Sequence, residues 1–275
     1  MPEGHTIYRL ARAHNRTLRG HVVHADSPQS RFAAGAGLLD GRLLRQAEAV
    51  GKHLFHRYEG RVWLHVHLGL YGEWRTGEQP MLEPRGAVRL RLWTEDVWWD
   101  LRGATACEVL TPPGVLAIKA RLGPDPLRRN ADVVAAYRRI GRSPTAIGAL
   151  LMNQEVLAGV GNVYRAELLF RHGLDPHRPG TTVSPDLWAR MWADLVELMR
   201  DGVRRGRIVT TRPGDRRRGP FYVYRRTGEP CLVCGTPIRT QELVKRNLYW
   251  CPTCQPPWAA GSLSRPAGAP ESAAG

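Results

Sequence analysis

Four cysteines close to the C-terminal end restrict this chain more than anything else in it. Cys231 and Cys234 stand two residues apart, sixteen residues follow, and Cys251 and Cys254 repeat the two-residue spacing. That pattern makes two knuckles that clamp one tetrahedral zinc ion through four thiolates, with a β-hairpin between them. With all four positions taken by protein the site is closed, so the metal is structural and does not polarise a substrate. A module of this size, residues 227–256, buries little apolar surface of its own, and zinc supplies the missing folding energy. Lys245, Arg246 and Asn247 fall beside the second knuckle, where a rigid hairpin can press a guanidinium onto a phosphate. Cys107 stands apart and reads as a small buried residue; an odd cysteine count argues against a disulfide framework.

The partner of such a module follows from charge. Forty basic residues against twenty-five acidic ones leave a net charge of +15 over 275 residues. That excess points to a polyanion, nucleic acid first and a membrane surface second. No run of eighteen apolar residues, no signal-peptide pattern and no amphipathic anchor occurs, so a cytoplasmic protein without a membrane role is expected. The length allows a sizeable core divided into two or three units. Lysine occurs only at Lys52, Lys119 and Lys245, every other basic residue being arginine. Arginine stays protonated, so an amine nucleophile is confined to those three lysines or the N-terminus.

The N-terminus reads Met1-Pro2-Glu3-Gly4. A small second residue favours removal of the methionine, leaving Pro2 with a free secondary amine. An α-amino group titrates at roughly 7.7–8.0 against roughly 10.4 for lysine, so far more of it is neutral and able to attack an electrophilic carbon. Glu3 beside it can exchange protons during that chemistry. Ile7, Leu10, Ala11, His14 and Leu18 recur at helical spacing over Thr6–Leu18, and the positive end of that helix would lower the amine pKa further.

From about His21 to Leu110 the periodicity is β. Val62, Leu64, Val66 and Leu68 alternate with Trp63, His65 and His67, and Val88, Leu90 and Leu92 with Arg89 and Arg91. Short strands with intervening turns predict an antiparallel sandwich or a flattened barrel. His53, His56, His65 and His67 read as the half-exposed face of a sheet and not as metal ligands. Thr111-Pro112-Pro113-Gly114 breaks the pattern, and Leu122-Gly123-Pro124-Asp125-Pro126-Leu127 is a stiff linker at the main domain boundary. Helices are expected over Ala131–Ile140, from Ser143-Pro144 to about Asn153, and after Ser184-Pro185, where Leu187, Trp188, Met191, Trp192, Leu195, Val196 and Met199 make an apolar face. Gly159-Val160-Gly161-Asn162 opens another helix as an anion site or as a plain tight turn. Residues 206–220 are an arginine-rich loop, Phe221–Arg226 a strand, and 257–275 a disordered tail.

Assembled, these stretches resemble the formamidopyrimidine-DNA glycosylase/endonuclease VIII family from Pro2 to Gln255. The carriers are Pro2-Glu3-Gly4, Gly51-Lys52-His53-Leu54, His67-Leu68-Gly69-Leu70-Tyr71-Gly72, Leu122-Gly123-Pro124, Gly159-Val160-Gly161-Asn162-Val163-Tyr164, Val223-Tyr224, Gly228-Glu229-Pro230-Cys231 and the cysteine hairpin. The resemblance implies an α+β multidomain chain. Residues 1–120 would form a catalytic β-sandwich with flanking helices, 121–226 a helix–two-turn–helix domain and 227–256 a zinc finger, with DNA in the cleft between. It implies a monomeric base-excision-repair enzyme acting on double-stranded DNA with damaged bases or abasic sites, nucleoid-associated in use. Pro2 would attack C1′ of the damaged nucleoside and Glu3 protonate the sugar ring oxygen. Lys52, Asn162 and Arg246 would clamp phosphates around the flipped nucleotide, Leu70 and Tyr71 fill the gap in the duplex, and Arg102 contact DNA.

Two departures from the family pattern bear on this. A second acidic residue usually follows in a Pro-Glu pair, and His5-Thr6 stands there instead, with His5 as the candidate substitute. The formamidopyrimidine branch carries an Arg-Arg-Phe run, whereas Arg102 is followed here by Gly103-Ala104. With Leu70-Tyr71 this favours the endonuclease VIII branch and oxidised pyrimidines, removed through a Pro2 Schiff base and β,δ-elimination. The alternatives are an oxidised-purine glycosylase or an abasic-site lyase of the same fold, and more distantly a non-catalytic damage-binding protein.

Overall fold

The β-periodic stretch becomes eight strands in the computed structural model, which describes residues 2–259. They are β1 (Val22–Asp26), β2 (Arg42–Val50), β3 (His53–Tyr58), β4 (Trp63–His67), β5 (Glu73–Glu78), β6 (Val88–Trp93), β7 (Val97–Arg102) and β8 (Ala106–Leu110). They lie in the order β5-β7-β6-β1-β2-β3-β4-β8, and each neighbouring pair is antiparallel. β1 and β2 share only the pairs Val22↔Leu43 and Val23↔Arg42. At that joint the ribbon folds over, and Leu54, Leu64 and Val66 from one half share a core with Leu90, Leu92, Trp99 and Leu101 from the other. This is the sandwich that period-2 alternation with one buried face requires. α1 (Gly4–Thr17) buries Ile7, Ala11 and His14 in the same core.

Two further helices in this unit carry no apolar stripe that predicts them. α2 (Ala33–Leu39) interrupts the strands with an Ala-Ala-Gly-Ala-Gly sequence, and α3 (Pro112–Arg121) begins on the two prolines that end the strand pattern. Proline is suited to a first helical turn, where the missing N–H would be unpaired anyway. α3 covers the outer face of β3 and β4, placing Val115 and Ile118 against Phe55 and Trp63. Its Lys119 reaches Glu48 at 2.5 Å and lies 5.2 Å from the Phe55 ring centre.

The chain divides into two compact units between Leu122 and Gly123. The second contains α4 (Val133–Gly141), α5 (Ile147–Leu150), α6 (Asn162–Arg171), α7 (Pro185–Arg205) and the hairpin β9 (Arg239–Leu243) and β10 (Arg246–Trp250). α7 starts as its sequence predicts, with Ser184 Oγ accepting the Leu187 N–H at 3.2 Å, and it ends at Gly206 with φ 75°. Its stripe Leu187, Trp188, Met191, Leu195 and Met199 packs on Tyr164, Leu168 and Leu169. Trp188 is fully in the core and Trp192 lies at its margin.

Two local expectations fail here. Ser143-Pro144 does not open a helix running to Asn153, because α5 has four residues. Ser143 Oγ instead accepts the Thr145 N–H, and the backbone of Ser143, Thr145 and Ile147 pairs with Arg178, Gly180 and Thr181. Phe221–Arg226 is not a strand. The amides of Tyr222, Val223 and Tyr224 all donate to one carboxylate, that of Glu167 in α6, at 2.8, 2.9 and 2.8 Å. Three consecutive N–H groups turned onto one anion cannot also serve a sheet ladder. The arginine-rich segment contains a short 3-10 turn, Pro213–Arg218, tied down by Asp215 accepting from the Tyr222 hydroxyl at 2.7 Å. Of the expected tail 257–275, residues 260–275 lie outside the described residues.

Candidate active site and DNA-contact residues

In the first unit Pro2 is half-buried immediately before α1. Glu3 is the N-cap by backbone geometry, with φ −118° and ψ 178°, yet its side chain forms no capping hydrogen bond. Glu3 is nevertheless completely buried. A carboxyl at this position sits where the helix dipole favours negative charge, directly after the residue with the candidate amine. His5 is also buried, with Nε2 3.3 Å from the Thr6 hydroxyl, and burial followed by the nearby Arg9 charge pushes its pKa down to about 4. It is neutral at physiological pH and holds a proton poorly.

The β2–β3 turn puts half-buried Lys52 after Gly51, whose φ of 57° suits glycine. β4 then runs into Leu68-Gly69-Leu70-Tyr71-Gly72. Gly69 has φ 67°, and the Gly72 N–H closes on Leu68 O at 2.9 Å. The tight loop turns Leu70 outward at 38% exposure and Tyr71 at 87%, which makes an apolar and aromatic prow. Gly103, φ 58°, packs beneath it, where a side-chain Cβ would stand 3.1 Å from Tyr71 O. Arg102 is less available than its sequence position suggests. Its side chain is 17% exposed and lies 3.7 Å from Asp100, a carboxylate that Arg91 already holds through two bonds of 2.6 and 2.9 Å.

Of the four strand histidines, His53 and His67 are half-buried as expected, and the other two are not. His56 and His65 are buried, the first bonded to His14 at 2.8 Å inside the sandwich, the second to His53 and Glu108 at 2.8 Å each. α3 covers the outer face of the sheet, which alternation within the strands could not reveal.

In the second unit, α5 and α6 are joined by successive turns across 151–161, stapled by Gln154. Its side chain donates to Met152 O and Val160 O at 2.9 Å and accepts from Gly159 N at 3.0 Å. Gly161, the N-cap of α6, has no side chain to cap the helix with, which leaves its mouth suited to an anion. Asn162 is buried, and its amide is engaged: Nδ2 donates to Asn247 O at 2.9 Å and Oδ1 accepts from Arg165. Arg165, fully buried, also reaches the carbonyls of Gly148 and Leu243 at 3.4 Å. This network ties the α6 mouth to the hairpin carrying Arg246. The hairpin turn is Val244-Lys245, with φ 49° and 57°, and Arg246 opens β10 half-buried with Nη1 2.9 Å from Lys245 O. Arg165 and Glu167 carry no sequence signal, because their partners lie far along the chain, whereas Gln154 acts only within its own turn.

The sulfurs of Cys231, Cys234, Cys251 and Cys254 lie within 4.8 Å of one another, the one metal-competent cluster among the described residues. Cys231–Cys254 and Cys234–Cys251 are 3.8 and 3.4 Å apart. Four ligands at about 2.3 Å around a tetrahedral zinc put sulfurs roughly 3.8 Å apart, so the set fits that ion. The amides of Val233 and Cys254 donate to Cys231 and Cys251 Sγ at 3.4 Å, orienting two of the sulfurs. Burial pushes the Cys251 and Cys254 thiols up while hydrogen bonds with Thr236 bring Cys234 down, so a bound cation is what lets the set ionise together at neutral pH.

Residues 1–107 match the formamidopyrimidine-DNA glycosylase N-terminal domain, residues 122–213 the formamidopyrimidine-DNA glycosylase H2TH domain, and residues 228–257 the zinc finger found in FPG and IleRS. The chain is 52% identical over 269 residues to endonuclease 8 1 of Mycobacterium tuberculosis, covering 93% of this chain and 100% of that protein. It is 35% identical over 259 residues to the DNA-(apurinic or apyrimidinic site) lyase Nei2 of Mycolicibacterium smegmatis, covering 93% and 99%. In fold it is similar to the Fpg protein of a complex with THF-DNA and an inhibitor, with a TM-score of 0.79, 20% identity, and coverage of 93% and 100%.

Proposed function

The chain belongs to the formamidopyrimidine-DNA glycosylase/endonuclease VIII family, in its endonuclease VIII branch, and on that premise we propose that it excises oxidised pyrimidines from duplex DNA through the amine of Pro2. It is a DNA glycosylase and AP lyase of base excision repair. The observation that carries the Pro2 assignment is the buried Glu3 carboxyl at the head of α1, next to Pro2 and not spent on capping.

Removal of Met1 frees the Pro2 nitrogen, whose lone pair attacks C1′. The C1′–N glycosidic bond breaks, its electrons leaving with the base, which takes up the proton lost from the Pro2 nitrogen, and the sugar opens as O4′ takes a proton from Glu3. The resulting iminium at C1′ acidifies C2′. Loss of a C2′ proton expels the 3′ phosphate, and a second elimination expels the 5′ phosphate. His5, neutral and buried, stands where the family pattern has a second carboxyl and is the candidate stand-in for it, but as a weak base.

A base inside the stack is out of reach, so the nucleotide is extruded at a cost of a few kcal/mol and the hole filled. Tyr71 and Leu70 are the exposed pair that fills it. Lys52, the α6 mouth at Asn162, and Arg246 hold phosphates of the lesion strand, with Asn162 contributing mainly by orienting the hairpin. The close packing of Gly103 under Tyr71 leaves that turn without the phenylalanine of the formamidopyrimidine branch, which supports the pyrimidine preference. The enzyme works as a monomer on chromosomal DNA in the cytoplasm, its zinc serving the fold. Consistent with that, no helix among the described residues is long and apolar enough to cross a membrane.

Borohydride reduction during turnover traps the protein on lesion DNA through Pro2, and acetylating the N-terminal amine abolishes trapping. Trapping that survives acetylation overturns the assignment. Single-turnover rates on thymine glycol and 5-hydroxycytosine exceed those on 8-oxoguanine; the reverse order makes this an oxidised-purine enzyme.

A further inference from the structure

Away from the residues assigned to DNA, three arginines surround one cavity of the sandwich unit. The cavity, about 430 Å³, is lined by Arg45, Arg57, Tyr58, Arg61, Trp63 and Pro112. β3 starts at His53, beside Lys52, and ends at Tyr58, so Arg57 stands about 17 Å along the strand from Lys52.

Each arginine reaches the cavity by its own backbone route. Arg57 pairs with Trp63 across the β3–β4 ladder and shares the outer face with Phe55, two residues before it. Arg45 is an extra residue in β2. Leu44 pairs with Tyr58 and Gln46 with Arg57, so the strand bulges between them, and Arg45 and Gln46 are both exposed between buried Leu44 and Ala47. Arg61 ends the β3–β4 turn with φ 62°, in the left-handed region that a residue with a side chain seldom adopts. The Tyr58 N–H closes that turn on Val62 O at 2.9 Å, and Arg42 Nη1 braces it by donating to Glu59 O at 3.4 Å.

One carboxylate answers these charges. Glu59 Oε1 lies 2.6 Å from Arg45 Nη2, while Arg57 and Arg61 are exposed with no acidic partner among the described residues. Like charges gathered around one concavity repel each other, and an anion seated among them relieves that repulsion. α3 adds an apolar margin. Leu116 follows Pro112 by one helical turn on the same face and is 66% exposed.

We propose that this cavity docks an acidic segment of a partner protein, with its carboxylates on Arg57 and Arg61 and an apolar side chain beside Pro112 and Leu116. Charge complementarity selects an anion, and three observations select a peptide over a nucleic acid strand. Glu59 shows a carboxylate already seated on one of these guanidinium forks. Lys119 Nζ lies 5.6 Å from the Trp63 ring centre, over one of the faces on which a base would stack. Leu116 offers an apolar contact that a phosphate backbone has no group to fill. The surface is separate from Lys52, so partner and lesion DNA can be held at once.

The test uses the zinc-loaded full chain saturated with a duplex containing a tetrahydrofuran abasic analogue, so that the DNA-contact residues are already covered. A fluorescein-labelled peptide, Asp-Glu-Asp-Glu-Asp-Gly-Leu-Val-Leu, is titrated by fluorescence anisotropy. It is expected to bind saturably, and its Asn/Gln counterpart not to bind. Arg57→Glu and Arg61→Glu should each weaken binding at least about tenfold, whereas Arg190→Glu, the same charge change at an exposed position of α7, should not. Leu116→Ser should weaken it about threefold, and a peptide ending in Ser-Ser-Ser should lose the same affinity and be indifferent to that substitution. Every variant should cleave lesion duplex at the wild-type rate, which also reports that it is folded. Absence of binding to the DNA-saturated chain, an equal loss in Arg190→Glu, or wild-type binding by Leu116→Ser overturns the proposal. Displacement of the peptide by a short oligothymidylate or by inorganic phosphate, at lower concentration than by unlabelled peptide, assigns the cavity to a nucleic acid strand or to a free ion and overturns it too. Slower lesion cleavage by both Arg57→Glu and the milder Arg57→Gln places these arginines in the DNA interface, with the same consequence.

Discussion

Glu3 is the proposed acid, and the fold surrounds it. It is a backbone N-cap with a buried side chain, and serine or asparagine would cap the helix better. A residue poorly chosen for local structure is where function is expected. Glu3→Gln keeps the shape and removes the acid. Base excision in single-turnover assays should fall at least about 100-fold while the thermal midpoint changes little. A wild-type rate would remove Glu3 from the mechanism. His56 makes the opposite case, a titratable group used for packing. Burial depresses its pKa from 6.5 to about 3, so below pH 6.5 the unfolded chain takes up a proton that the folded chain refuses. Its contribution to stability is complete above about pH 6.5 and is lost as pH falls toward 3, by at most about 1.4 kcal/mol per pH unit. Urea midpoints at pH 7, 6 and 5 should decline accordingly, and His56→Gln should flatten that decline.

Elements were legible where one helix or hairpin contains its own signal. The α7 stripe with Ser184-Pro185, the knuckle spacing around β9 and β10, and the alternation in β4 and β6 are all local patterns, and each element stands where the pattern puts it. Segments whose hydrogen bonds go to distant partners were not legible. Ser143-Pro144 looks like a second helix start, but its backbone pairs with residues near Gly180; Phe221–Arg226 looks like a strand, but its amides belong to Glu167. Glu167 is the element-scale counterpart of a cap. Burial pushes its pKa up, and the bonds from Thr210, Tyr222, Val223 and Tyr224 push back. Glu167→Gln turns one acceptor oxygen into an NH2 facing N–H groups, so it should cost about 2–3 kcal/mol in urea unfolding. Proteolysis within Arg212–Arg218 should accelerate in the same variant. Unchanged proteolysis would mean that the segment is held elsewhere.

At the scale of the molecule, the residues proposed to act on DNA are divided between the two units. Pro2, Glu3, Lys52, Leu70 and Tyr71 belong to the first unit, Asn162 and Arg246 to the second. Their identities could be read from short motifs, but their exposure could not: Tyr71 projects, Arg102 is pressed against Asp100, and Asn162 is spent on the hairpin. The cores divide in the same way. The sandwich core contains no zinc ligand, whereas Cys231 and Cys251 pack with Phe170, Tyr222, Tyr249 and the α6 residues Val163 and Ala166. Zinc therefore supports the part of the second unit that carries Arg246 and braces Asn162, and it does nothing directly for Pro2. Chelation should release one zinc per chain, measured with a colorimetric thiolate-displacement assay. It should add an early thermal transition and leave the sandwich to melt near its original temperature. Binding to lesion duplex should disappear with the early transition, while the Pro2 amine keeps its reactivity toward a small aldehyde under borohydride. Loss of that reactivity together with zinc would show that the two units fold as one cooperative body, and the zinc would then support the nucleophile as well as the phosphate contacts.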